Sequence, residues 1–200
     1  MYKTKKQYRL PGYDYSQSGN YFITIVCKNR QDFLGKIEND IMLLYPAGVF
    51  AKENIIKFYT SPSLQNPYKN NPYFINQSPY IIAINEFEIM PNHIHLIVEI
   101  INKTPVGTRL EACSYEACSY EACSYNGHLH PLVVGSIGSF VNHFKGKIKR
   151  WCTENNILDF AWQARFHDRI IRDWDEYNRI ATYIKNNIQN WTDDKDFLPS

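Results

Sequence analysis

The sequence lacks several features that define whole classes of protein. No apolar run approaches the length of a membrane-spanning helix, and the first residues lack the apolar core of a signal peptide. The five cysteines form no Cys-x-x-Cys pair, so neither a zinc ribbon nor a disulfide framework is indicated. Because the formal net charge is only +2, a nucleic-acid surface would depend on local clusters of Lys and Arg. We therefore expect a cytoplasmic protein without a membrane partner.

The length and the irregular segments indicate one domain with two insertions. Two hundred residues fit a single domain, 1–200, that buries a substantial core. Residues 60–79 contain four prolines, which favours a loop. Three successive copies of Glu-Ala-Cys-Ser-Tyr occupy residues 111–125, and this repeat suits neither helical nor strand periodicity. We predict surface insertions at 60–79 and 103–131.

The remaining segments show alternating strand and helix patterns. β-Branched and aromatic residues predict a strand at 21–27, an antiparallel hairpin from 80–89 and 93–100, and an extended stretch at 160–172. Helices are predicted at 46–59 and from Trp174 to Asn190, and a further helix is marked by the apolar spacing of Ile137, Phe140, Val141, Phe144, Ile148 and Trp151. This order predicts an α+β fold: a ferredoxin-like antiparallel sheet with helices packed on one face.

Two histidines in the predicted hairpin are candidate metal ligands. His93 and His95 follow a Pro-Asn turn and lie two residues apart on a strand, so their side chains share one face. Imidazole is a common protein ligand for metal ions. The spacing alone is weak evidence, because His128 and His130 repeat it in a predicted loop. An ordinary pair of half-exposed strand residues stays the alternative.

The last predicted helix adds a tyrosine and an amide to this set. Tyr177 lies in the apolar stripe, whereas Tyr183 lies about 120° from the centre of that stripe. Asn187 follows Tyr183 by four residues and shares its face in a continuous helix. If that face meets the histidine strand, a metal would polarise a phosphodiester and the phenol oxygen would attack it. Arg179 is a candidate cation for favouring loss of the phenolic proton.

Basic side chains also cluster near the predicted helices. The helix that starts near Ile137 carries four of them away from its apolar stripe, as either a solvated face or a phosphate-contacting face. Arg and Lys make most contacts to phosphate. The residues expected to contact DNA phosphates are Lys145, Lys147, Lys149, Arg150, Arg165, Arg169 and Arg172.

These motifs together resemble a known family. The His-hydrophobe-His form of His93–His95 is similar to that of HUH single-strand endonucleases, and the phrase from Met90 to Val98 resembles single-tyrosine bacterial transposases. The stretches Trp162–Arg172 and Tyr183–Asn187 resemble the REP-associated tyrosine transposases. The opening residues from Tyr8 to Tyr15, with the strand at Tyr21, are also similar. The likeness covers most of the chain outside the two predicted insertions.

The resemblance implies a transposase that cleaves and rejoins single-stranded DNA at hairpin-bearing element ends. It implies that His93 and His95 bind magnesium or manganese and that Asn187 is the third ligand. Tyr183, on the C-terminal helix, would be the nucleophile and would form a 5′-phosphotyrosine intermediate. Many members are homodimers, and a monomer is the alternative for the REP-associated members. Subgroup members usually have Asn-Pro where this chain has Asn187-Ile188.

Three other functions are consistent with parts of this pattern. A catalytically inactive, domesticated relative would bind DNA and regulate. A zinc hydrolase unrelated to DNA would need an acidic third ligand, for which Glu99 is the nearest residue on the same strand face. A replication initiator or relaxase would share the histidine motif but differ in its flanking segments. We favour the transposase because it gives the histidines, Tyr183 and the basic residues a role together.

Overall fold

Six strands and three helices form the part of the chain that the structure describes. The structure is a computed structural model, and it describes residues 13–57, 80–102 and 135–191. The elements in chain order are β1 (Gly19–Val26), a 3-10 turn (Lys28–Arg30), β2 (Gly35–Glu38), β3 (Ile41–Leu44), α1 (Pro46–Ile56), β4 (Tyr80–Ile89), β5 (His93–Asn102), α2 (Ile137–Glu154), β6 (His167–Ile171) and α3 (Trp174–Lys185). The segments 60–79 and 103–131, including the repeat, His128 and His130, lie outside the described residues.

The main sheet is antiparallel and has the strand order β4-β5-β1-β6. β4 and β5 form the predicted hairpin, which turns through residues 90–92 and is closed by a 2.9 Å hydrogen bond from the Met90 N–H to the His93 carbonyl. β5 and β1 occupy the two central positions, so each is fixed by a partner strand on both sides. This placement holds the start of β5 on a rigid support.

The two faces of the sheet pack against different helices. Alternate β5 residues (Ile94, Leu96, Val98 and Ile100) enter the main core with α1 and α2. On the opposite face, Ile97 packs with Ile180, Ala181 and Ile184 of α3. The α+β class and the antiparallel sheet are thus confirmed. The prediction that the helices pack on one face of the sheet differs from the structure. The apolar stripe of α3 covers a second, smaller apolar patch on the opposite face.

A small hairpin, β2–β3, was not predicted from the sequence. Its two strands are four residues each, and the turn between them places Asn39 and Asp40 at φ values of 52° and 58°. Both central residues of a type I′ hairpin turn need positive φ, and Asn and Asp tolerate that conformation better than most residues. The Asn-Asp pair was therefore an available signal, but four-residue strands give too short an alternation to stand out.

Two predicted boundaries differ from the structure. α3 ends at Lys185 rather than near Asn190, with Asn186 as its C-cap. Consecutive asparagines compete for backbone hydrogen bonds and so favour the end of a helix. The predicted extended stretch at 160–172 pairs as a strand only from His167, apart from an isolated bridge between Trp162 and Cys27. Within the described ranges, no helix is long and apolar enough to cross a membrane.

Candidate active site

β5 brings the two imidazoles together beneath α3. His93 and His95 are 0% and 1% exposed, and they project from the face of the sheet opposite the main core. Their Nε2 atoms are 2.9 Å apart. In the register with β1, His93 lies opposite Val26 and His95 lies opposite Thr24. The predicted sharing of one strand face is therefore observed, but both rings are buried rather than half exposed.

Neighbouring side chains orient both rings through their Nδ1 atoms. Asn92 Nδ2 donates to the Arg30 carbonyl at 3.1 Å, which turns Asn92 Oδ1 toward His93 Nδ1 at 2.9 Å. Since an amide oxygen only accepts, His93 Nδ1 must carry a proton, and the Nε2 lone pair of the neutral ring then faces His95. Thr24 Oγ1 lies 2.9 Å from His95 Nδ1 and orients that ring, since a hydroxyl can either donate to this nitrogen or accept from it. Such partners orient metal-binding histidines.

Tyr183 reaches the imidazoles from α3. Its hydroxyl lies 3.3 Å from His95 Nε2, and its side chain keeps 41% of its surface exposed. The phenol oxygen thus lies beside the histidine pair in a side chain that is partly exposed. Tyr177 packs against the small apolar cluster under α3, as its position in the apolar stripe predicts.

Two aromatic rings near the site were not identified from the sequence. The Phe22 ring lies 5.2 Å from that of His95 and contacts the Tyr183 ring edge-on at 6.2 Å. The Trp191 ring lies 5.9 Å from that of His93. Phe22 shares a strand face with Thr24, so strand alternation could have placed it once the pairing of β1 with β5 was known. No local pattern marks Trp191, which follows the end of α3.

Asn187 lies in the turn after α3 rather than on the helix. It is 2% exposed, and its N–H donates to the Ile184 carbonyl at 3.2 Å. The residue makes other contacts, while its Oδ1 atom is buried and accepts no hydrogen bond from the described residues. A buried amide oxygen of this kind is a suitable donor for a cation. The helical i to i+4 argument for Asn187 was wrong, although the residue is well buried next to α3.

The three lysines and the arginine of α2 divide into two groups. Lys145 Nζ donates to the Gln163 carbonyl at 2.5 Å, and Lys149 Nζ donates to the carbonyls of Leu158 and Phe160 at 3.2 and 2.6 Å. These two side chains hold the segment that follows α2 against the helix. Lys147 and Arg150 are exposed. Partial desolvation of its ammonium group is the main cause that lowers the pKa of Lys147, with the nearby charge of Lys57 as a second cause.

The arginines of the C-terminal segment are exposed, but one of them forms an ion pair. Arg169 Nη2 lies 2.5 Å from Glu176 Oε1 of α3. Arg165 and Arg172 are exposed on either side of β6, and Arg179 is exposed on α3. The seven basic residues expected to contact DNA therefore do not form one free surface, since Lys145, Lys149 and Arg169 already bind protein groups.

Two carboxylates belong to the hairpin that carries the imidazoles: Glu88 on β4, and Glu99 on β5 four residues after His95. Glu88 is the cross-strand neighbour of His95, and burial raises its pKa. Glu99 Oε2 accepts a hydrogen bond from Asn85 Nδ2 at 2.9 Å. Among residues 13–57, 80–102 and 135–191, no three side chains of His, Cys, Asp or Glu converge. The two imidazoles are therefore the possible cation ligands that the described residues bring together.

The chain has a close relative over nearly its whole length. An uncharacterized protein of Haemophilus influenzae (strain Rd KW20) is 32% identical over 195 residues, which cover 96% of this chain and 92% of the relative. The two proteins belong to one family. No family model matches the chain.

One solved structure shows a similar fold at low sequence identity, and a second is less similar. A REP-associated tyrosine transposase bound to a REP hairpin superposes with a TM-score of 0.50 at 17% identity, over 96% of this chain and 74% of that protein. A provisionally assigned transposase of Deinococcus radiodurans R1 gives a TM-score of 0.40 at 15% identity, over 92% of this chain and 97% of that protein. The first likeness shows that this chain has a transposase-like fold.

Proposed function

We propose that this protein is a transposase that cleaves and rejoins single-stranded DNA through Tyr183. The observation that carries the proposal is the Tyr183 hydroxyl 3.3 Å from His95 Nε2, which itself lies 2.9 Å from His93 Nε2. The transposase-like fold supports it, since the structural neighbour is a REP-associated tyrosine transposase bound to a REP hairpin. The proposed substrate is a single strand with hairpin-forming ends.

The spacing of the imidazoles supports a divalent cation as cofactor. Two ligands about 2.1 Å from an ion lie about 3.0 Å apart at right angles and about 3.4 Å apart in a tetrahedron. The observed 2.9 Å is close to the first of these separations, so one cation could bind both rings. The same distance also suits an N–H···N hydrogen bond, so the pair can hold a proton or a cation. His93, His95 and Asn187 are the proposed ligands.

Each group has a defined role in the proposed reaction. A bound divalent cation would supply polarisation of a phosphoryl oxygen and stabilise the charge that develops there. Tyr183 Oη forms a bond to phosphorus while the bond from phosphorus to the 3′ oxygen breaks. The phenolic proton passes to water, and the departing 3′ oxygen takes up a proton from water. The result is a 5′-phosphotyrosine and a free 3′ hydroxyl, and the reverse attack rejoins the strand.

Phosphate contacts are expected mainly from exposed cations. Lys147, Arg150, Arg165 and Arg172 are exposed, and each can contact the backbone of a bound strand. Arg169 could do so only by sharing its ion pair with Glu176. We propose no more than an auxiliary DNA role for Lys145 and Lys149, because their ammonium groups bind backbone carbonyls.

A covalent-adduct assay tests the proposal. Hairpin-bearing single-stranded oligonucleotides from the ends of the protein's own element, labelled at the 3′ end, are incubated with protein and manganese and run on a denaturing gel. The 3′ label should migrate with the protein, because the downstream fragment keeps the phosphate that is joined to tyrosine. The same oligonucleotide labelled at the 5′ end should release a free labelled fragment.

Matched variants make the result specific. Tyr183→Phe should abolish the adduct, whereas Tyr177→Phe on the same helix should retain it. His93→Ala should lower adduct formation by at least about a hundredfold if the cation is needed. An adduct that persists in Tyr183→Phe would contradict the assignment of the nucleophile. Tight DNA binding by the wild-type protein without any adduct would instead favour the inactive, regulatory relative.

A further inference from the structure

The helix that carries Tyr183 is attached to the sheet by a small apolar contact. Ile180, Ala181 and Ile184 pack on Ile97 of β5 and Ile171 of β6, with Phe22 and Tyr177 at the margin. This cluster is much smaller than the main core on the other face. Hydrophobic contact is not directional, so a patch of this size constrains the angle of α3 weakly. Other contacts must set that angle.

The first turn of α3 is joined to β6 by one buried carboxylate. Glu176 is 7% exposed, and its Oε1 pairs with Arg169 Nη2 at 2.5 Å. Its Oε2 accepts the backbone N–H of Arg172 at 3.0 Å, and its own N–H donates to Asp173 Oδ1 at 2.7 Å. The Asp173 contact caps the helix in the usual way. The contacts of the Glu176 side chain reach beyond the helix and hold its start on an edge strand.

The last turn of α3 is joined to the opposite edge of the sheet. Lys185 Nζ lies 3.0 Å from Glu86 Oε1 on β4. Because the strand order is β4-β5-β1-β6, the two ion pairs attach the ends of α3 to the two outer strands. The helix therefore crosses above β1 and β5, which carry Thr24, His93 and His95. Tyr183 lies between these attachment points, seven residues after Glu176 and two before Lys185.

We propose that Glu176 and Lys185 are positioning residues, which fix α3 through Arg169 and Glu86 so that the Tyr183 hydroxyl faces His95. Seven residues are close to two helical turns, so Glu176 and Tyr183 lie on nearly the same side of α3, about 10 Å apart along its axis. A rotation or tilt at either end therefore moves the hydroxyl directly. The consequence for catalysis rests on the proposed function, since a misplacement of about 1 Å can cost on the order of a hundredfold in rate.

A structural readout tests this positioning without DNA. Protein with isotope-labelled tyrosine and histidine rings should show a nuclear Overhauser effect between Tyr183 and His95, assigned by its loss in Tyr183→Phe. Glu176→Gln keeps the shape of the side chain and an acceptor for the Arg172 N–H, but it removes the ion pair. We expect a several-fold weaker effect in Glu176→Gln and in Lys185→Gln. Asp175→Asn, an exposed carboxylate in the same turn, should leave the effect unchanged.

A charge exchange at the more exposed pair gives a second, reciprocal test. Lys185→Glu should weaken the ring contact, and adding Glu86→Lys should restore it, because the pair is re-formed with opposite signs. This test still decides the role of Lys185 if Glu176→Gln fails to fold. Unchanged ring contacts in Lys185→Glu would overturn the role of Lys185, and unchanged contacts in a folded Glu176→Gln would overturn that of Glu176.

The adduct assay separates the two proposals. Glu176→Gln should form the adduct about ten- to a hundredfold more slowly, without weaker binding of the single-stranded oligonucleotide measured by fluorescence anisotropy. A merely destabilised protein would regain the wild-type rate at lower temperature, whereas a mispositioned tyrosine would not. If the wild-type protein forms no adduct while the ring contacts still respond to the variants, the proposed function fails and the positioning inference stands.

Discussion

Two side chains beside the imidazoles determine how the histidine pair presents its nitrogens. Asn92 accepts from His93 Nδ1 and is itself oriented by the Arg30 carbonyl, while Thr24 holds His95 Nδ1. As a result, both Nε2 atoms point into the same space, where their lone pairs would repel unless a proton or a cation lies between them. The two rings are therefore oriented so that a shared proton or a cation can lie between their Nε2 atoms.

Removing the Asn92 side chain should weaken metal binding. In Asn92→Ala, His93 loses the acceptor that keeps its proton on Nδ1, so Nε2 is no longer held as a lone-pair donor. We expect manganese affinity to fall by about ten- to a hundredfold, measured by isothermal titration calorimetry. Asn85→Ala, an asparagine on β4 that bonds Glu99 and Asn20, is the matched control. Equal affinity in Asn92→Ala and wild type would exclude this orienting role.

At the scale of elements, two helical glycines differ in how closely neighbouring atoms approach them. A Cβ atom added to Gly48 of α1 would lie 2.0 Å from the Leu34 carbonyl oxygen, which belongs to the backbone before β2. A Cβ atom added to Gly146 of α2 would meet nothing within 4 Å. Both positions are inside helices, where glycine is intrinsically unfavourable. The structure therefore explains only the first glycine by packing.

These two positions should respond to alanine in opposite directions. Gly48→Ala forces α1 away from Leu34 and should lower the free energy of unfolding by about 1–3 kcal/mol. Gly146→Ala gains helix propensity without a clash and should raise it by about 1 kcal/mol. Urea unfolding monitored by circular dichroism measures both changes. A neutral or stabilising Gly48→Ala would mean that α1 does not lie this close to the segment before β2.

At the scale of the whole molecule, the candidate site is assembled from distant parts of the chain. Thr24 comes from β1, His93 and His95 from β5, and Tyr183 from α3. The site therefore exists only when the sheet has formed and α3 lies on its second face. A ligand that binds this assembled site must stabilise the folded state relative to the unfolded chain, in which these groups are far apart.

Manganese should accordingly raise the stability of the folded protein. At a concentration about a hundred times its Kd, a ligand of the folded state adds about 2.7 kcal/mol to the free energy of unfolding. We expect a rise in Tm with manganese for wild type and for His167→Ala, whose histidine is exposed on β6. The variant His93→Ala/His95→Ala should show no such rise, measured by differential scanning calorimetry. An equal rise in that variant would show that the ion binds elsewhere.

Sequence patterns predicted the elements whose periodicity is long and regular. The alternation in β5 put both histidines on one face, and the stripe of α2 marked its helix closely. The short β2–β3 hairpin escaped prediction, since two strands of four residues carry little periodic signal. The extension of α3 to Asn190 was also wrong, because hydrophobic spacing continues past Lys185 while the asparagines end the helix.

The sequence by itself determined which side chains share a face, because strand and helix geometry repeats along the local chain. It thereby placed His93 with His95 and separated Tyr183 from the apolar stripe that contains Tyr177. Only the tertiary structure decided that α3 covers the second face of the sheet, that Thr24 and Phe22 flank His95, and that Tyr183 reaches 3.3 Å from its Nε2. These relations depend on strand register, on the packing of Ile97 with Ile184 and on ion pairs at both ends of α3, none of which follows from local periodicity.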